Sequence, residues 1–192
     1  MPLVAVDLAS VETYFLIRLL SAAAVEEQGA LWCPLISDPA PLDLDVQAAR
    51  RHAERLQLPF VRPPRHPAPV PRAMRLAALA AARGRGALFT VRATRLAWAA
   101  GADLDRLGTH GDSDVEDDEL EGYLQLIVEE IGVGLADAKR AAEDGSDWDR
   151  QLSATALRLA QLGIDSAPTL RLEGTLYTGQ AAISRALDAQ DG

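Results

Sequence analysis

The chain has 192 residues, 28 of them acidic and 19 basic, for a net charge of −9. That length suits one domain with a full core, or one domain carrying a sizeable insertion. The charge disfavours nonspecific nucleic-acid binding, with no basic stripe interleaved with aromatics to restore it, and the single cysteine, Cys33, excludes an intramolecular disulfide, a dithiol exchange cycle and a multi-cysteine zinc site.

The start, MPLVAVDLAS, lacks a basic n-region, and the apolar run YFLIRLLSAAA is broken by Arg18 and too short to span a bilayer. With the lone cysteine this predicts a soluble cytoplasmic protein in a reducing compartment. Pro2 to Leu8 is an apolar, β-branched run that reads as strand one, and Ser10 supplies a hydroxyl that can cap the helix after it. Glu12 favours the first helical turn, while Tyr14, Ile17, Leu20 and Ala24 repeat at helical spacing.

ALWCPLI reads as strand two with Pro34 near its end. Its Trp-Cys-Pro invites comparison with a Trp-Cys-x-x-Cys redox site, but no resolving cysteine exists, and a strand cysteine reads as a small hydrophobe. DPAPLDLDV is a proline-punctuated loop leading to a second helix, VQAARRHAERLQ. Pro63, Pro64, Pro67, Pro69 and Pro71 then predict an extended surface crossing from Phe60 to Arg72.

Arg72 to Ala100 is rich in alanine and leucine and broken by Gly84 and Gly86, which predicts two closely packed helices. Val115 to Glu130, Gly134 to Glu143 and Trp148 to Gln161 each show helical apolar spacing. Near the end, APTLRLEGTLYTGQ reads as two strands turning at Glu173-Gly174, followed by a helix from Gln180 to Leu187.

The order βαβ, a block of helices, then ββα predicts an α/β thioredoxin-like fold with an all-helical insertion. The expectation is one domain over 1–192, with its core at about 1–60 and 150–192 and the insertion at about 70–148. Ala167-Pro168 stands where such a fold opens its third strand, and the peptide bond between them is expected to be cis.

These segments carry a resemblance. VDLASVETYF is similar to the Asp-x-x-Ser-Pro-Tyr-x-Tyr opening of the 2-hydroxychromene-2-carboxylate isomerase and kappa-class glutathione transferase family, a DsbA-like branch of the thioredoxin fold. LQLPFVRPPRHP, LAWAAGADL and GIDSAPTLRLEGTLYTGQ resemble three further segments, so the likeness spreads over nearly the whole chain. It implies that Ser10 hydrogen-bonds the thiol of bound glutathione, that the backbone of Ala167, before Pro168, pairs with the cysteinyl portion, and that Gln180 belongs to the cofactor-binding set. It further implies a homodimer and a small aromatic or conjugated substrate, with no nucleic acid and no membrane.

The chain also departs from the family. Val11 and Glu12 replace a Pro-Tyr pair, Pro69 replaces an asparagine, and Ala181-Ala182 replace an Asp-Arg pair that holds the γ-glutamyl end of glutathione. Losing that pair removes charge-assisted hydrogen bonds worth about 1.5–3 kcal/mol each. Three readings follow: a glutathione-dependent isomerase or transferase; a divergent protein binding a small ligand or partner in the same cleft; and a DsbA-like thiol-disulfide oxidoreductase, which the missing CxxC disfavours.

Other residues read more simply. His66 reads as a surface or packing residue that could line a pocket, and His52, among basic neighbours, reads as solvated. The acidic run DSDVEDDELE lacks the central glycine and twelfth-position spacing of a calcium loop. His110 beside it completes no metal set, so no metal site is expected.

Overall fold

The structure is a computed structural model, and residues 2–19, 29–36, 45–64, 70–104 and 127–188 are described. In chain order the elements are β1 (Leu3–Val6), α1 (Val11–Leu19), β2 (Leu31–Pro34), α2 (Val46–Arg55), α3 (Pro71–Ala82), α4 (Gly86–Ala100), α5 (Leu135–Ala142), α6 (Asp147–Gln161), β3 (Thr169–Leu172), β4 (Thr175–Thr178) and α7 (Gln180–Asp188). Residues 127–130 are also helical.

The four strands form one sheet in the order β2-β1-β3-β4. β1 runs parallel to β2, with Ala5 beside Cys33, and antiparallel to β3, with Ala5 beside Thr169. β3 and β4 close a hairpin in which Glu173 and Gly174 both take positive φ, 50° and 89°, the conformation a two-residue hairpin loop demands. The strands are shorter than the apolar runs suggest. Pro34 ends β2 at the sheet edge, where a residue with no N–H costs the ladder least.

Alternation along β1 sends side chains to two cores. Val4 and Val6 pack with Trp32, Leu170, Leu16 of α1, Ala87 of α4 and Ile183 of α7. Leu3 and Ala5 pack on the other face with Cys33, Leu35, Leu159 of α6 and Ile164. A third cluster joins Leu8, Val11, Tyr14 and Phe15 to α2, α3, α4 and α5, so α1 is covered by the sheet on one side and by helices on the other.

Local chemistry sets the helix starts. The Asp45 carboxylate accepts Ala48 N–H at 2.8 Å and caps α2. α3 begins at Pro71, inside the stretch expected to be extended throughout: a proline in the first helical position gives up only an N–H that has no intrahelical partner there. The expected helix from Val115 falls mostly outside the described residues, as do Leu20 and Ala24. The other helical segments stand within a residue or two of their expected limits.

Candidate active site

The turn from β1 into α1 is held by Asp7 and Thr13. Asp7, 7% exposed, donates its N–H to Thr13 Oγ1 at 3.3 Å, accepts Ala9 N–H on Oδ1 at 2.9 Å and accepts Ser10 N–H on its carbonyl at 3.1 Å. Ser10 then contributes its carbonyl, which accepts Tyr14 N–H at 3.4 Å, and so begins α1. Its side chain does not cap. Among the described residues the Ser10 hydroxyl has no hydrogen-bond partner, while the residue is only half-buried. Asp7 and Thr13 brace the turn ahead of the helix, serving the N–H groups of residues 7, 9 and 10, whereas a serine cap would serve those of the first helical turn.

Ala167-Pro168 is a cis peptide. The pairing of Ala5 with Thr169, carried one residue further, sets Pro168 beside Val6 at the end of β1 from which the Ser10 turn departs. The Pro168 carbonyl accepts Gly179 N–H at 2.9 Å, so the turn between β4 and α7 rests on the proline. Thr169 Oγ1 donates to the Ser166 carbonyl at 2.7 Å and lies 3.1 Å from Thr178 Oγ1, bracing the same loop.

Glu12 closes this arrangement. Its Oε2 accepts the N–H of Gln180, the first residue of α7, at 3.2 Å. The carboxylate thus serves the start of α7, although its place in the first turn of α1 suggests service to its own helix alone. Gly179 has φ 79°, and a Cβ there would stand 3.3 Å from the same oxygen. Two expected site residues, Pro168 and Gln180, are therefore linked through hydrogen bonds to the first turn of α1, which Ser10 begins, and Ala167 adjoins them through its cis peptide to Pro168. Sequence reasoning missed the Glu12–Gln180 contact, since nothing in a local pattern links positions 168 residues apart.

Cys33 is not part of it. The thiol lies on the far face of the sheet among Leu3, Ala5 and Leu159, and burial pushes its pKa up to about 11. At neutral pH it is a protonated, unreactive sulfur. Tyr14, fully buried, donates its hydroxyl to the Pro59 carbonyl at 2.5 Å and ties α1 to the segment after α2. Its pKa is raised by burial, with Arg95 opposing.

His52 differs from expectation. It is half-buried, its ring lies 4.7 Å from that of Phe15, and Nδ1 is 2.8 Å from an Arg55 guanidinium nitrogen, because the helix turns this face toward α1. His66, Pro69, His110 and the acidic run lie outside the described residues. Among the described residues no group of three or more His, Cys, Asp or Glu side chains is placed to hold a metal ion, and no helix is long and apolar enough to cross a membrane.

No protein-family model and no curated protein sequence matches the chain. Solved structures do. A 2-hydroxychromene-2-carboxylate isomerase superimposes with a TM-score of 0.73 at 14% identity, over 99% of this chain and 94% of the other. The cytosolic disulfide reductase DsbM from Pseudomonas aeruginosa, solved with glutathione, superimposes with a TM-score of 0.64 at 20% identity, over 99% and 98%. At such identities the likeness establishes the fold: this chain has the DsbA-like thioredoxin fold.

Proposed function

We propose that Ser10 and Ala167-Pro168 flank a cleft that holds a small thiol, glutathione in the first instance, and that the protein is an isomerase or transferase of a small aromatic or conjugated substrate. The observation that carries this reading is the Ser10 hydroxyl, uncommitted at the start of α1. A helix N-terminus offers free N–H groups and about half a positive charge, which lowers the pKa of a nearby thiol. A hydroxyl with no internal duty is available to donate to the resulting thiolate. The chain supplies no thiol of its own there, since its single cysteine is buried elsewhere, so a dithiol reductase cycle lacks its parts. The DsbM likeness, solved with glutathione, supports a ligand of this class.

In the reaction so read, the thiolate adds to an electrophilic carbon of the conjugated substrate, forming a C–S bond as the π pair moves onto the conjugated oxygen. Rotation about the former double bond follows. The pair returns, the C–S bond breaks and the thiolate is regenerated, with no net oxidation. Ser10 is the catalytic residue, Ala167 presents backbone to the thiol compound, and Pro168 and Gln180 complete the walls. The protein acts as a homodimer in the cytoplasm, where thiols stay reduced.

Glu12 at α7 and the Ala181-Ala182 pair favour a second reading, a ligand-binding descendant that has given up glutathione. Calorimetric titration with glutathione separates the two. Binding no tighter than millimolar is expected for the native chain, tightened by joint Ala181→Asp and Ala182→Arg changes. Absence of binding by both proteins would end the thiol reading.

A further inference from the structure

We propose that Glu12 sets the charge selectivity of this cleft, so that the thiol bound beside Ser10 presents an ammonium, and not a carboxylate, toward the start of α7. The inference rests on the thiol reading above and names the ligand chemistry that the site accepts.

The Glu12 carboxylate is fixed by a backbone hydrogen bond from Gln180 at 3.2 Å, over a glycine whose missing side chain leaves the approach open. One ligand-facing consequence is occupancy: the first amide of α7 already has its acceptor, and an N–H donates one good bond. A second is charge. Among the described residues no Lys, Arg or His pairs with Glu12, and the residue is exposed. An anion held in one place without a cation attracts a cationic group and repels another carboxylate. The Gly179 N–H donates to the Pro168 carbonyl and the next N–H, that of Gln180, donates to Glu12, so the carboxylate stands by the Pro168 wall, and a thiol seated between Ser10 and Pro168 carries its next polar group into this field. Glutathione meets the requirement only through its ammonium, its adjacent carboxylate being opposed.

Two thiols of matched length test this, 2-aminoethanethiol and 3-mercaptopropionate, titrated by NMR at a fixed ionic strength of about 0.15 M, where the Debye length is about 8 Å. The native chain is expected to bind the aminothiol about fivefold more tightly, the scale of one charge pair near water. In Glu12→Gln, whose amide oxygen still accepts the Gln180 N–H, the ratio falls to near one. Glu54→Gln, an exposed charge on α2, controls for the overall acidity of the chain and retains the preference. Equal affinities in the native chain, a preference that survives Glu12→Gln, or one that Glu54→Gln abolishes as fully, would overturn the inference while leaving the thiol site standing. Failure of both thiols to bind any of the proteins would remove the thiol site as well.

Discussion

Arg75 Nε, on α3, donates to Asp149 Oδ1, on α6, at 2.7 Å, while Nη1 reaches the Ala142 carbonyl at 3.0 Å and Asp144 at 2.7 Å. The Arg75 side chain is 7% exposed, against 39% for Asp149 and 90% for Asp144. The cost of disruption therefore lies with the arginine and the groups it satisfies. Arg75→Ala should lower stability by about 1.5–3 kcal/mol, short of the roughly 3–5 kcal/mol of a fully buried pair, because both carboxylates regain water. Asp144→Ala should cost under about 1 kcal/mol, as a surface ion pair does. Urea denaturation of the two variants checks the order, and equal losses would contradict it.

The same cluster predicts an acid limb. The Arg75 hydrogen bond holds the Asp149 carboxyl below its usual range, with the Gly145 N–H also contributing and partial burial opposing. A folded pKa below the unfolded value of about 3.9 means stability that is present above that value and lost as pH falls through the folded one. Thermal melts from pH 6 down toward about pH 2 should steepen below about pH 4, and Asp149→Asn should flatten part of that slope. A variant curve parallel to the native one would show that other carboxylates carry the acid response.

Cys33, with its thiol pushed up to about 11 by burial, should resist modification. A disulfide reagent at neutral pH is expected to label the native chain far more slowly than the urea-unfolded chain, and Cys33→Ala should leave thiol-ligand binding unchanged. Rapid native labelling would show that the Trp-Cys-Pro stretch opens to solvent.

Features fixed by neighbours in sequence were legible. The Glu173-Gly174 turn and the alternation through Val4, Ala5 and Val6 depend on local backbone preference and period, while the cis Ala167-Pro168 bond, against the local trans preference, was legible from its place at the opening of the third strand. Pro71 was not legible as a helix start, since a proline in a run of prolines looks extended until the following Ala-Met-Arg-Leu turn finds its packing. Ser10 and Glu12 show the same limit at the site. The serine looks like a cap, yet its hydroxyl takes no partner among the described residues, and the turn ahead of it is braced by Asp7 and Thr13. Glu12 finds its partner on the last helix, and only the sheet register brings that helix to it.

Ser10→Ala gives the sharpest separation of ligand chemistry from folding. A serine that caps with its hydroxyl loses about 0.5–2 kcal/mol on conversion to alanine. Here the hydroxyl has no partner among the described residues, so the loss in urea denaturation should stay within about 0.5 kcal/mol. Thr13→Val is the contrasting change: Thr13 is 1% exposed, and removing Oγ1 leaves the buried Asp7 N–H without its acceptor, which should cost about 1–3 kcal/mol. For a bound thiol the order reverses. Without the Ser10 hydroxyl the thiolate loses a donor, so the pKa of the bound thiol, followed by thiolate ultraviolet absorbance against pH, should rise in Ser10→Ala and hold in Thr13→Val. A Ser10→Ala chain as destabilised as the threonine variant would mean that the hydroxyl serves the fold, and its unchanged thiol pKa would remove Ser10 from the chemistry.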